Sequence, residues 1–339
     1  MHPASKAGPA GRIPPPTPLS GVRVRFFASE APAHARTQSA TASGTATGLY
    51  QEITDKIISQ IEAGILPWMQ PWAGGPALSM PVNAATHRGY SGINILLLWD
   101  ALFQRGYDRN RWLTFKQALS VGGNVRKGEH GTTVVFADRF TPKGEQEAPG
   151  GKDGEARSIP FLKRFTVFNI AQCEGLPADM TVTLAPVSHR FPIESAELLI
   201  QASGAVFQRG GEQAYYHTGG DYIRVPEQDS FFEPINFYRT ALHELTHWTG
   251  AKHRLDRNYS KRFGDEAYAR EELVAEMGSA FLCATLGIVP TVRHADYIGN
   301  WLAVLKNDSR AIINAASHAS KAADFLLAFA APAQVEDAA

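Results

Sequence analysis

Cysteine is almost absent from this 339-residue chain. Cys173 and Cys283 lie far apart, each among apolar neighbours, which excludes a disulfide framework and a cysteine-based zinc site and makes a reducing compartment the default. Long apolar runs are missing as well. The longest, such as "INILLLW" and "GSAFLCATLGIV", fall short of the roughly 18 to 20 residues that a membrane span needs, so a membrane protein is not expected and a cytoplasmic one is. Net charge is also lacking. Lys and Arg together number 33 and Asp and Glu 33, so no global field draws the chain to nucleic acid, and any electrostatic footprint must come from local clustering.

Acidic residues are scarce in the first 48 positions, where Glu30 stands alone among Pro, Ala, Gly, Thr and several arginines. Such a composition cannot bury enough apolar surface to fold and reads as a disordered tail. An Arg-rich, acid-poor leader also resembles an organellar transit peptide, but "IPPPTPLS" argues against a continuous amphipathic helix there. From residue 49 the remainder is long enough for two domains, each able to bury its own core: 49 to 180 and 190 to 335.

Order begins where Ile53, Ile57 and Ile61 recur every four residues before Gly64, the pattern of an amphipathic helix. "SGINILLLWDALFQRGY" reads as a second helix and "LTFKQALSVGG" as a third, capped by Thr114. "TTVVFADRF" and "FLKRFTVFNI" alternate like strands, separated by a polar, Gly-rich loop too long for a tight hairpin. In the second half a helix, "PIESAELLIQASG", precedes three short strands at "AVFQRGG", "AYYHTG" and "YIRVP", expected to be antiparallel, and long helices follow. The fold class is therefore α+β in two domains.

The densest chemistry lies in "YRTALHELTHWTG". Residues four apart on a helix share a face, so His243 and His247 can address one ion, while Glu244, rotated about a hundred degrees, can reach an attacking water without ligating. Two ligands, a general base and an open position are the requirements of a hydrolytic zinc site. A third ligand is needed, and "REELVAEMGSAFL" offers Glu271, Glu272 and Glu276 in an otherwise apolar helix. The pattern resembles the gluzincin metallopeptidases. That resemblance implies Glu272 as the third ligand and Glu276 as the partner that orients a ligand histidine. Glu271 is then expected to face solvent, although a one-residue slip would exchange it with Glu272. Zn2+ suits two histidines and a carboxylate, with Mn2+ a second choice. On the preceding strand His217 and Tyr222 are candidate oxyanion donors, no better placed by sequence than ordinary surface residues, and an exposed edge there would pair with an extended peptide. His253 reads as a structural or exposed histidine.

The front half is locally basic. Arg105, Arg109, Arg111, Lys116, Arg126 and Lys127 are interleaved with Trp68, Trp72, Tyr90, Trp112 and Phe115. Cations on phosphates and aromatic faces under bases are what single-strand binding requires, although tryptophans belong more often to cores. The candidate contacts are Trp68, Trp72, Tyr90, Arg111, Trp112, Lys116, Arg126 and Lys127. "PVNAATHRGYSGIN" followed by "WLTFKQALSVGGNVRKGEHGTTVVF" resembles the N-terminal domain of the ArdC antirestriction family, shared with TraC-type primases, and the order of motifs over residues 49 to 320 fits that family. The resemblance implies a single-stranded-DNA-binding domain followed by a zincin-like domain, and protection of incoming mobile-element DNA from host restriction. A cytosolic zinc peptidase that cleaves a host protein, its front domain only positioning substrate, is the alternative.

Overall fold

The computed structural model describes residues 45–69, 78–140, 159–181, 192–257, 266–289 and 298–330. Trp72 and residues 1 to 44 lie outside them. Helix α1 (Thr45–Glu62) begins four residues before the expected edge of order. It buries Ile53, Ile57 and Ile61, each at most 4 % exposed, along one stripe. After strand β1 (Val82–Asn83), helix α2 (Ile93–Arg105) ends on Gly106, whose left-handed backbone lets its N–H close on the carbonyls of Leu102 and Phe103. Strand β2 (Arg111–Leu113) leads into the short helix α3 (Phe115–Ser120). Thr114 and Gln117 form a reciprocal capping box there, satisfying two otherwise unpaired amides. Then come β3 (Asn124–Val125), β4 (Thr132–Phe140) and β5 (Ile159–Asn169). A 3-10 turn, β6 (Cys173–Glu174) and the single turn α4 (Ala178–Thr181) close this half.

The main sheet runs β1-β2-β5-β4. β4 and β5 pair antiparallel, from Thr132 opposite Val167 to Phe140 opposite Ile159. The Asn94 side chain both donates to the Val135 carbonyl and accepts from its amide, each at 2.8 Å. It thereby occupies backbone groups that an edge strand would otherwise leave open.

The second half comprises α5 (Pro192–Ser203), β7 (Val206–Arg209), β8 (Tyr215–His217), β9 (Tyr222–Val225), α6 (Ile235–Thr249), α7 (Glu266–Leu286), α8 (Ile298–Asn307) and α9 (Ala311–Ala330). Its sheet has the order β7-β9-β8. β8 is antiparallel to β9 as expected, but β7 is parallel to it, with Val206 opposite Tyr222. α6 and α7 pack closely at Gly278. A side chain there would meet the Thr246 methyl at 2.5 Å, so the helix approach that brings α7's carboxylates to α6 depends on its absence.

The two halves share apolar packing, beside two smaller clusters confined to the front half. One apolar cluster runs through Ile53 and Ile57 of α1, Leu96 and Trp99 of α2, and Leu273, Phe281, Trp301 and Ile312 of the second half. Trp68 meets Trp301 edge-on at 5.5 Å, and Trp99 meets Phe281 at 5.6 Å. Polar clasps cross the same seam, from the Thr54 hydroxyl to the Ser309 carbonyl at 2.7 Å and from the Gly92 amide to the Ser320 hydroxyl at 2.8 Å. No helix among the described residues is long and apolar enough to cross a membrane.

Candidate metal centre

Helix α6 turns its His243 and Glu244 inward, where they are 8 % and 7 % exposed. His243 and His247 bring their Nε2 atoms to 3.2 Å of each other. Glu272 of α7 faces both, its Oε2 3.5 Å from His243 Nε2 and its Oε1 3.5 Å from His247 Nε2. An ion bonded at about 2.0–2.1 Å to three corners of a tetrahedron holds those donors about 3.3–3.4 Å apart. The spacing of the three side chains therefore fits one small cation.

Behind each histidine stands a carboxylate with its own arginine. His243 Nδ1 is 3.4 Å from Glu276 Oε1, and Arg239 donates to the other Glu276 oxygen at 2.6 Å. His247 Nδ1 is 3.1 Å from Glu271 Oε1, and Arg257 grips Glu271 through Nε at 3.0 Å and Nη2 at 2.9 Å. Arg257 is itself anchored on the Thr249 hydroxyl and the Thr246 carbonyl. Such carboxylates hold a hydrogen on Nδ1 and leave Nε2 free to ligate. Glu271 corrects the expectation of a solvated residue: it is 7 % exposed and does for His247 what Glu276 does for His243.

Charge supports the same fit. Glu244, Glu271, Glu272 and Glu276 are all buried, against the two buried guanidiniums of Arg239 and Arg257. With neutral histidines, four carboxylates against two cations leave an excess of two negative charges, which a divalent cation neutralises. Without it the protons respond. Burial opposes charging the rings, yet Glu272 and Glu276 raise His243 to about 9, and Glu271 and Glu272 raise His247 to about 10. Burial likewise disfavours the Glu272 anion, but both histidines hold it well below the usual carboxylate range. Glu244 moves the other way, pushed up by burial despite the two imidazoles.

The edge strand β8 completes the centre, because the backbone amide of Tyr216 donates to the Glu244 carboxylate. Tyr216 is in turn pinned: its hydroxyl donates to Asp221 at 2.7 Å and accepts from Arg254 at 3.1 Å. Arg254 also pairs with both Asp221 oxygens and lies 3.8 Å over the Trp248 ring. Arg254, with Tyr216 assisting against the cost of burial, holds Asp221 down to about 2. His217 and Tyr222 are given to each other, stacked at 4.8 Å, with His217 Nδ1 accepting from the Gly220 amide. His253 is exposed, 3.4 Å from Asp221.

The front half departs further from its expectation. Trp68 and Trp112 are 1 % and 0 % exposed, so neither offers a face to a base. Trp112 donates to Asn110 at 2.7 Å and packs on Tyr107. Arg111 and Arg126 are directed at backbone carbonyls, of Met180 at 3.3 Å and of Cys173 at 3.3 Å respectively, and Arg126 also pairs with Glu129. Arg111 is half-buried, whereas Arg126 stays exposed. Tyr90 is half-buried, while Lys116 and Lys127 are exposed. Arg239, Arg257, the Tyr216 amide and the role of Glu271 behind His247 were not expected from sequence. Only Arg239, one turn before His243 on the same face, carried a periodic signal.

Residues 194–318 match the model of a zincin-like metallopeptidase family, and residues 47–168 match that of the N-terminal domain of anti-restriction factor ArdC. An uncharacterized protein of Sinorhizobium fredii, y4eC, is 41 % identical over 280 residues, covering 80 % of this chain and 89 % of its own. A DNA primase TraC of Escherichia coli is 37 % identical over 79 % of this chain, which spans only 26 % of the primase. The crystal structure of antirestriction protein ArdC from plasmid R388 in its metal-free form superposes with a TM-score of 0.69 at 40 % identity, over 84 % of this chain and 98 % of that one. Its Mn(II)-bound form gives 0.68, likewise at 40 % identity. With both halves matched in order and that structure covered almost end to end, the chain belongs to the ArdC antirestriction family.

Proposed function

We propose that this protein binds single-stranded DNA, protects DNA entering on a mobile element from host restriction, and carries in its second half a metal-dependent peptidase centre. His243, His247 and Glu272 hold a divalent cation, Zn2+ or Mn2+, and Glu271 and Glu276 set the two rings. Zn2+ is favoured by the nitrogen-rich donor set, and the Mn(II)-bound relative supports the alternative. The cation supplies Lewis acidity toward a peptide carbonyl and acidifies a water for attack.

The observation that carries the peptidase reading is Glu244. It is buried beside the ligand set without joining it, its carboxyl raised by burial and its orientation held by the Tyr216 amide. A base with a raised pKa takes a proton from water and returns it to the departing amine near neutral pH. β8 is an outer strand of its sheet, and an extended peptide laid along it presents its carbonyls beside Glu244. The peptide cut would belong to a host protein.

The test is survival of unmodified DNA entering a restricting host that expresses the parent or Glu244→Ala, which retains all three ligands. Loss of protection with metal content and melting temperature unchanged is expected. Undiminished protection would show that hydrolysis is not the means, and would leave the work to the DNA-binding half.

A further inference from the structure

With Trp68 and Trp112 in the core and Arg111 half-buried on a carbonyl, the question of where a strand would lie turns to the cations and rings that remain outside. Helix α3 exposes Phe115 at 47 % and Leu119 at 51 %, one turn apart on the same face. Lys116 beside them is exposed and has no acidic partner among the described residues. The turn between β1 and Tyr90 is joined to this helix by Asn83, which donates to the Gln117 side chain at 3.0 Å while its own oxygen accepts from the amides of Ala85 and Thr86. That turn presents Arg88, also exposed and without an acidic partner among the described residues. Neither the turn nor the helix contains an acidic residue. On the other side of Phe115 lies Phe168, edge-on at 6.5 Å, whose ring tip sits against Gly131, where a side chain would meet it at 3.1 Å. Lys127 is exposed in the turn that leads into Gly131. Two exposed apolar side chains framed by unpaired cations form a surface that water serves poorly and a polyanion with flat, apolar bases serves well.

We infer that single-stranded DNA crosses this surface, with a base stacked on the Phe115 ring, Leu119 beneath its neighbour, and phosphates on Arg88 and Lys116. The assignment rests on the single-strand reading above and places it on residues. A rival surface exists on the β4–β5 hairpin, where Phe136 and Phe165 are 59 % and 41 % exposed. There, however, Lys163 sits 5.4 Å over the Phe165 ring and Arg164 is paired with Glu52, so that ring and that cation are already engaged and only Phe136 is left.

The test is fluorescence anisotropy of a labelled oligothymidylate with the full chain. Phe115→Ala is expected to weaken binding roughly 5- to 150-fold and Phe115→Trp to preserve it, as for a stacked base. The double variant Arg88→Gln, Lys116→Gln is expected to lower the slope of log affinity against log salt by about 1.4, two single-strand phosphates at about 0.7 each. Phe136→Ala is expected to bind like the parent. All these side chains are exposed, so unchanged circular dichroism accompanies each. A parent that does not bind the oligonucleotide removes the single-strand reading itself. A parent that binds while Phe115→Ala binds equally, or while Phe136→Ala takes the loss instead, removes this location and leaves that reading standing.

Discussion

At the scale of single residues, the proposed centre would depend on side chains outside its ligand set. Glu271 holds His247 at 3.1 Å and is held by Arg257, so Glu271→Gln keeps the volume and removes the charge that fixes the ring. Loss of such a partner typically lowers metal affinity by about 10- to 100-fold. Competition against a chromophoric chelator measures it, and an affinity equal to the parent's would make Glu271 a packing residue only. Where much of this cluster lies was legible in sequence. His243, Glu244 and His247 follow from the helical period alone, because a period of 3.6 fixes which side chains share a face. The assignment of each glutamate was not legible. Glu271 and Glu272 are adjacent, and which one meets an ion depends on how α7 is rotated about its axis, which Gly278 and Thr246 help to set.

At the scale of elements, strand β8 connects the metal helix to the surface on which a peptide would lie. Its support is the cluster of Tyr216, Asp221, Arg254 and Trp248. Asp221 is held down to about 2, so its folded form favours the anion more than the unfolded chain does. A depressed pKa gives stability that is complete above the ordinary value of 3.8 and disappears as pH falls toward about 2. Melting temperatures of the parent and Asp221→Asn should therefore differ near neutral pH and converge as pH drops from about 4 to about 2. Since Asp221 is 41 % exposed, screening keeps the difference small. A gap that stays constant through acid would mean that the charge contributes nothing. The sequence marked all three strands around this cluster, but the parallel pairing of β7 with β9 was out of reach, because alternation identifies a strand without naming its neighbour.

For the whole molecule, the shared core has a thermodynamic consequence. Trp68 belongs to the front half by sequence and to Trp301 of α8 by packing. Deleting a buried tryptophan side chain typically costs about 3–5 kcal/mol. Calorimetry of the parent should show one cooperative transition for both halves, and Trp68→Ala should lower it as a unit while oligonucleotide binding well below that transition is retained. Two separable transitions would mean that the halves are independent domains that merely touch, and loss of binding by the folded variant would return Trp68 to the DNA surface.

The sequence by itself determined what local geometry decides: the helix that sets His243 and His247 on one face, the capped helix α3, the paired strands and the mixed α+β class. It also carried the order of motifs by which both halves are recognised. Tertiary structure alone decided the fate of each long or bulky side chain. A tryptophan becomes core or platform, and an arginine becomes a phosphate ligand or a carbonyl clamp, according to groups brought near from distant parts of the chain. Trp68 meets a residue 233 positions away, and Arg111 a carbonyl 69 positions away. Periodicity reports which face of an element is buried, whereas the free energy of burying a ring or pairing a cation depends on what the rest of the fold sets against it.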